Sequence, residues 1–154
     1  MIVKNFMKER VFSVQETDSI RKAAQMFVEH HVGTLPVVNA AGKLVGVLQL
    51  RDVLTLVLPD FTRLMEDFDF VRDFGAMEAV LPSEEMLAKK VADVMEEPFC
   101  VDDTCGLLLA SALLHQHRLN ELPVVDAEKR LVGIVSRVDI GTGILGNWNI
   151  ASGE

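Results

Sequence analysis

The chain has 154 residues, of which 49% are hydrophobic and 25% are charged, and its formal net charge is −8. This composition is typical of one compact globular domain and excludes a disordered chain. The acidic balance argues against a general nucleic-acid binder and against a protein that docks on anionic membranes.

The N-terminal residues 1–11 carry several charges, and no apolar run is long enough to span a membrane. We therefore expect neither a secretory signal nor a membrane partner. Cys100 and Cys105 lack the C-x-x-C spacing, and without a secretory context they are expected to be reduced thiols. The sequence thus predicts a cytoplasmic protein.

The first half of the chain predicts the order strand, helix, strand, strand, helix. A β-like stretch at 11–14 precedes a helix over 19–30, whose apolar residues have helical spacing and whose N-cap is Asp18 or Ser19. The apolar runs 35–38 and 44–48, joined by a five-residue polar turn, predict a hairpin. A closing helix is expected to begin near Leu50.

A Phe-rich insert follows, at about 59–90. Its apolar residues Phe61, Leu64, Met65 and Phe68 fall on one helical face. Pro82 ends this pattern, and Ser83 followed by two glutamates predicts the start of a new helix.

The second half predicts the same order of elements again. A β-like stretch at 99–101 leads to a helix over 107–117, for which Thr104 is the expected N-cap. A hairpin is expected at 122–125 and 131–135, and a closing helix begins near Arg137. A polar tail ends the chain, and its last residues are expected to be mobile.

The two halves are copies of one unit. Residues 35–54 return at 122–141 with an offset of 87, which pairs Gly46 with Gly133 and Asp52 with Asp139, whereas Met7 pairs with Met95 at an offset of 88. Two such units are expected to pack on each other with pseudo-twofold symmetry and two matched clefts. We predict a first unit at 1–57, a helical insert at 58–90, a second unit at 91–146 and a tail at 147–154.

The repeated motifs h-P-V-V-[DN] and G-[VI]-[LV]-x-x-x-D resemble those of a tandem pair of cystathionine-β-synthase (CBS) domains. The resemblance implies an α/β (α+β) fold with two units packed sheet to sheet. It also implies a regulatory module that binds an adenosyl ligand such as AMP, ADP, ATP or S-adenosylmethionine between its units, with no other cofactor. Family members commonly form homodimers, and the protein regulated by this chain is unknown.

The second unit matches the family's ligand motif in full, with Gly133, Ser136 and Asp139. The resemblance implies that Asp139 holds the ribose hydroxyls and that Ser136, at the start of a helix, approaches phosphate. The alternative is that Ser-x-x-Asp is a capping pattern that needs no ligand. The first unit keeps Asp52 but has Gln49 in place of Ser136, so we predict two unequal sites. Asp52 is equally well explained as a first-turn carboxylate that the helix dipole favours.

Further site residues are implied by the resemblance. The first strands would place Ser13, Val14, Cys100 and Val101 against the nucleoside, although Cys100 is also a residue that packs well. The positions before the Leu-Pro dipeptides hold Thr34 and Glu121. Glu121 would repel a phosphate, which Arg51 or Arg137 at the helix starts would offset. A neutral adenosyl group or S-adenosylmethionine would tolerate Glu121 better.

Signals of catalysis and of metal binding are weak. His30 and His117 occupy the same place in each repeat, at the C-terminal end of a helix. A cation at that end is favoured by the helix dipole, so a helix-end role explains these histidines better than metal binding does. No nucleophile elbow, H-E-x-x-H or phosphate-binding loop is present. The sequence therefore predicts a ligand-sensing module and not an enzyme. The alternative is a ligand-free homodimeric interaction scaffold whose apolar insert is covered by the body or by another chain.

Overall fold

A computed structural model describes residues 1–57, 81–148 and 150. The predicted helical face from Phe61 to Phe68 and the last residues of the tail lie outside this part of the chain. Six described strands are β1 (Val14–Gln15), β2 (Thr34–Val38), β3 (Leu44–Gln49), β4 (Val101–Asp102), β5 (Glu121–Val125) and β6 (Leu131–Ser136). The described helices are α1 (Ile20–His30), α2 (Leu50–Val57), α3 (Glu84–Ala88), α4 (Leu107–Gln116) and α5 (Arg137–Gly146).

The strands form two three-stranded sheets, one in the order β1-β2-β3 and the other in the order β4-β5-β6. In the second sheet β4 runs parallel to β5, and β5 runs antiparallel to β6 with Glu121 opposite Ser136. Both predicted hairpins and both closing helices are confirmed, as is the mixed α/β class. The first strand of each repeat begins later than predicted, at Val14 and at Val101.

Serine caps two helices as the sequence predicts. The hydroxyl of Ser19 accepts a hydrogen bond from Lys22 N at the start of α1, and that of Ser83 accepts one from Met86 N at the start of α3. The prediction that Thr104 caps α4 is wrong, because Gly106 is the N-cap and offers no side-chain acceptor. Gly106 stands 87 residues after Ser19, so the repeat keeps the helix start while losing the capping hydroxyl.

The chain forms two compact units that do not follow sequence order. One, which we call the second-repeat unit, contains Met1–Val11, Val38–Val45 and the chain from Pro98 onward. The other, the first-repeat unit, contains Phe12–Val37 and the described part of Gly46–Glu97. The N-terminal residues thus belong with the second repeat. The boundaries inferred above from the repeat alone remain predictions.

The N-terminal segment is part of the core of the second-repeat unit. Val3, in a short 3-10 helix, is fully buried among side chains of β4, α4, β5, β6 and α5. Two residues beyond that helix, Met7 packs on Gly133, where an added Cβ would lie 2.4 Å from the Met7 Sδ. The first-repeat unit repeats this contact between Met95 and Gly46, also at 2.4 Å. A side chain at either glycine would therefore displace the segment that packs there.

None of the helices within the described ranges has both the length and the apolar character needed to cross a membrane.

Candidate functional site

Ser136 and Asp139 form a closed pair at the start of α5. The Ser136 hydroxyl accepts a hydrogen bond from Asp139 N at 3.1 Å, while Asp139 Oδ2 accepts from Ser136 N at 2.8 Å and from the Ser136 hydroxyl at 2.7 Å. The capping role predicted for this motif is therefore confirmed. The same bonds fix the orientation of a carboxylate whose side chain is 16% exposed.

Lys8 and Glu121 surround this carboxylate with charge. The Lys8 ammonium lies 3.7 Å from Asp139 Oδ2. Lys8 reaches this place because its backbone N–H and carbonyl bond to those of Ile134 on β6, each at 2.9 Å. Glu121 lies across from Ser136, and burial raises the pKa of its carboxyl, which Lys8 lowers and Asp139 raises further. Two carboxylates and one ammonium therefore share the start of α5.

The guanidinium of Arg137 binds to backbone carbonyl groups, whereas the sequence suggested that it would offset the charge of Glu121. Its guanidinium donates to the carbonyl oxygens of Leu114 at 3.1 Å, in the last turn of α4, and of Leu119 at 2.7 Å, just beyond that helix. The Leu114 oxygen also accepts a hydrogen bond from Leu119 N at 2.9 Å, and a cation at the C-terminal end of a helix suits its dipole. A role for Arg137 toward phosphate stays a prediction, and these bonds compete with it.

In the first-repeat unit, Asp52 has a different neighbour. Asp52 Oδ2 accepts a hydrogen bond from Gln49 N at 2.8 Å, as Asp139 does from Ser136. The residue that stands beside this helix start is Glu96, whose carboxylate accepts from Gln49 Nε2 at 2.9 Å and lies 3.5 Å from the Arg51 guanidinium. Glu96 bonds to the backbone of Val47 on β3 in the way that Lys8 bonds to Ile134.

The environment of Asp52 disfavours its charge. Burial raises the pKa of its carboxyl from 3.8 to about 6, the backbone hydrogen bond from Gln49 opposes the rise, and the carboxylate of Glu96 adds to it. Asp52 is half-buried and shares its surroundings with a second carboxylate. It is therefore a poorer fixed acceptor near neutral pH than a carboxylate with an ammonium beside it.

The first-strand residues divide between core and surface. Val14 and Val101 are buried in the cores of their units, so a ligand contact at either would come from the backbone. Ser13 is half-buried just before β1, and Thr34 is half-buried as the first residue of β2. Cys100 lines a surface depression together with Cys105, and burial raises the pKa of both thiols, which makes them weak nucleophiles.

The histidines at the helix ends pack against aromatic rings, His30 stacked on Phe12 and His117 tilted against Phe99. His30 lies 3.7 Å from Phe12 between ring centroids, and His117 lies 4.5 Å from Phe99. In residues 1–57 and 81–148, no three His, Cys, Asp or Glu side chains are grouped so that they could hold a metal ion.

The family model for the CBS domain matches this chain twice, at residues 3–59 and 91–145. The chain belongs to the CBS domain family. The CBS repeats coincide with the two halves that share the 87-residue offset.

Relatives carry the CBS pair in several settings. The chain is 31% identical over 147 residues to the chloroplastic CBS domain-containing protein CBSX2 of Arabidopsis thaliana, covering 90% of this chain and 61% of that protein. It is 29% identical over 151 residues to the uncharacterized protein MJ1426 of Methanocaldococcus jannaschii, covering 91% and 89%. It is 29% identical over 136 residues to homoserine O-acetyltransferase of Methanocorpusculum labreanum, of which it spans 23% while 88% of this chain is covered. CBS domains are thus found in this set both alone and within enzymes.

Solved CBS pairs share the fold. The crystal structure of CBSX2 in complex with AMP has a TM-score of 0.70 and 31% identity, covering 94% of this chain and 96% of that one. The CBS pair of protein MJ0100, in complex with 5′-methylthioadenosine and S-adenosyl-L-methionine, has a TM-score of 0.66 at 20% identity and covers 96% and 98%. The second similarity concerns the fold alone.

Sequence reasoning missed Lys8 and Glu96 as neighbours of the CBS ligand motif. Both follow a methionine that packs on the motif glycine of a CBS repeat. One feature of the sequence could have indicated them: Met7 and Met95 are 88 residues apart, whereas the rest of the repeat has an offset of 87. The change in offset falls in the two segments that each pack with the other repeat inside a compact unit.

Proposed function

We propose that this chain is a regulatory module that binds an adenosyl compound at the start of α5 and passes its ligand state to a partner protein. The observation that carries the proposal is the fixed Asp139 carboxylate, held by Ser136 in a sequence that matches the CBS ligand motif in full. Support comes from CBSX2, a relative at 31% identity whose crystal structure contains AMP.

The geometry suits a ribose. Asp139 Oδ2 takes both hydrogen bonds from Ser136, and Oδ1 accepts none from the described residues. A ribose has two adjacent hydroxyl groups, each able to donate to a carboxylate whose orientation is already fixed. Lys8 has a 60% exposed side chain and contacts the carboxylate at 3.7 Å, so it can move aside at little cost.

Regulation in this proposal requires a difference in affinity. A ligand shifts a conformational equilibrium only by as much as it binds one state better than the other. The partner is taken to be a protein that distinguishes the two states. Catalysis is no part of the proposal, since homoserine O-acetyltransferase, an enzyme among the relatives, is matched by this chain over only 23% of its length.

The test is a thermal melt and a calorimetric titration with adenosine, AMP, ATP and S-adenosylmethionine. A ligand present at about 100 times its dissociation constant stabilises the folded state by about 2.7 kcal/mol and raises the melting midpoint. Asp139→Asn keeps the size of the side chain and is expected to weaken binding at least about tenfold, the cost of a charged hydrogen bond. Glu128→Gln, which removes one exposed carboxylate from the β5–β6 turn, is the matched control. No midpoint shift with any of the four compounds at millimolar concentration would contradict the proposal.

A second candidate, the homodimeric interaction scaffold, is favoured by one observation. The second-repeat unit exposes large apolar side chains on its helices, with Leu108 76%, Leu109 59% and Val138 70% accessible. Exposed apolar side chains grouped on neighbouring helices are typical of interfaces. We propose that a second copy covers them, and that Leu108→Glu shifts a dimer toward monomer in light scattering. A wild-type monomer at micromolar concentration would contradict the dimer, and a dimer that binds no adenosyl compound would favour the scaffold.

The location of the chain stays a prediction. The sequence indicated a cytoplasmic protein, whereas two of the relatives are chloroplastic.

A further inference from the structure

We propose that Glu121 is a charge filter of the adenosyl site: it makes the second-repeat unit favour adenosyl compounds whose 5′ group is uncharged or positively charged over nucleotides that carry phosphates. This inference rests on the proposed function, because it concerns the choice among adenosyl ligands. It assigns to Glu121 a specificity role.

Glu121 lies beside the helix start at which a phosphate would look for hydrogen-bond donors. It is the first residue of β5 and the cross-strand partner of Ser136, the N-cap of α5. Residues directly opposite each other in antiparallel strands have Cα atoms about 5 Å apart. A helix start is a general binding place for anions, and here that place has a half-buried carboxylate beside it.

The donors of Ser136 and Arg137 are already used. The backbone N–H and the hydroxyl of Ser136 both donate to Asp139, and the guanidinium of Arg137 donates to carbonyl oxygens of α4 and its following turn. A phosphate that bound to Ser136 or to the Arg137 guanidinium would have to displace those bonds. It would do so facing two carboxylates.

Neither cation at this helix start makes it favourable for a phosphate. The Arg137 guanidinium is held by the carbonyl oxygens of Leu114 and Leu119, and Lys8 is shared between two carboxylates. Lys8 acts on both carboxylates, since it contacts Asp139 and lowers the pKa of Glu121. One ammonium against two carboxylates leaves the cluster of Lys8, Glu121 and Asp139 with a net negative charge. Such a cluster favours a sulfonium or an amine and opposes a phosphate, and the effect grows with the number of phosphate charges.

The chain itself supplies the substitution that tests this idea. Thr34 occupies the position of Glu121 in the first repeat, 87 residues earlier, and it too begins a strand. Glu121→Thr therefore introduces a residue that the same fold accepts at the same place. Threonine also has a high preference for strands.

The experiment is calorimetric titration of the full chain, at low ionic strength, with adenosine, S-adenosylmethionine, AMP and ATP. For the wild type we expect adenosine and S-adenosylmethionine to bind at least about tenfold more tightly than ATP, with AMP between them. Glu121→Thr is expected to tighten ATP about tenfold and to change adenosine by less than about threefold. Glu128→Gln, which removes one exposed carboxylate in the same unit, is expected to leave the ratio unchanged. Added salt should reduce the gain for ATP because it screens the interaction.

The outcomes separate this inference from the proposed function. If the wild type binds ATP as tightly as adenosine, or if Glu121→Thr leaves their ratio unchanged, the charge filter is wrong while the adenosyl proposal stands. If none of the four compounds binds, both fail. Should Glu121→Thr lose its cooperative thermal transition, Glu121→Gln replaces it with the same expected ratio, because it removes the charge and keeps the shape.

Discussion

Replacing Asp52 by asparagine should stabilise the protein at neutral pH. The carboxyl of Asp52 is half-buried next to Glu96, and burial with this neighbour raises its pKa from 3.8 to about 6. A raised pKa means that the folded state holds the proton more tightly than the unfolded state does. Below a pH of about 4, Asp52 therefore does not reduce the free energy of unfolding. As pH rises from there to about 6 the free energy of unfolding falls, and above about 6 the whole penalty is present.

The size of this penalty follows from the shift. A difference between 3.8 and about 6 corresponds to about 3 kcal/mol if it is converted in full. Solvent screens a half-exposed carboxylate, so we discount this figure to about 1 kcal/mol. Asparagine can keep the hydrogen bond from Gln49 N that Asp52 accepts at 2.8 Å, and its amide can donate to Glu96. Asp52→Asn is thus expected to gain about 1 kcal/mol at pH 7.5 and close to nothing near pH 4.

Urea denaturation of both proteins between pH 4 and 7.5 measures this difference directly. Asp139→Asn is the matched control, because Asp139 holds the same place in the second repeat with Lys8 beside it. It loses an ion pair and the charge of a capping box, so we expect it to be less stable than the wild type by about 0.5–1 kcal/mol at pH 7.5. A gain for Asp52→Asn that is equal at both ends of the pH range, or a loss at pH 7.5, would refute the reasoning.

Substitutions at three further positions test the packing and the helix-end hydrogen bonds of the second-repeat unit. Gly133→Ala should lower the unfolding free energy by about 1–3 kcal/mol, because its Cβ would lie 2.4 Å from the Met7 Sδ and 3.1 Å from the Lys8 carbonyl oxygen. Gly141→Ala, in α5, where an added Cβ would have no heavy atom within 4 Å apart from the neighbouring backbone of its own helix, should raise it by about 0.5–1 kcal/mol, and urea midpoints that move in the same direction would contradict the contrast. Arg137→Ala should cost about 1–2 kcal/mol by removing its hydrogen bonds to Leu114 and Leu119, with Arg137→Lys recovering only part of the loss; a change below about 0.5 kcal/mol, within the range of ordinary surface substitutions, would show that these bonds add no stability.

The parts of the fold that the sequence predicted are those determined locally. The hairpins, the closing helices and the caps at Ser19 and Ser83 depend on residues a few positions apart, where periodicity and capping chemistry are informative. The prediction for Thr104 failed because a helix can begin without a side-chain cap when packing supports it. The helix instead begins after Gly106, which stands 87 residues after the N-cap Ser19 of the first repeat.

The candidate site divides in the same way. Ser136 and Asp139 are three residues apart, so their hydrogen bonds follow from the start of a helix. Lys8 reaches Asp139 from 131 positions earlier in the chain, and no local pattern contains that contact. Its geometry depends on which repeat the N-terminal segment packs against, which is a property of the tertiary structure.

The exchange of Lys8 for Glu96 shows how one backbone arrangement supports two different electrostatic environments. In each unit a methionine packs on the motif glycine at the same distance, and the next residue bonds by its backbone to a strand residue. Since these contacts involve the backbone and the methionine, the side chain of the next residue is free to differ without loss of packing. That side chain then lies beside the carboxylate at the helix start, as an ammonium near Asp139 and as a second carboxylate near Asp52. The two helix starts therefore differ in two ways. Ser136 adds hydroxyl hydrogen bonds to Asp139 that Gln49 does not make to Asp52, and the charge beside the carboxylate comes from a segment that the motif does not include.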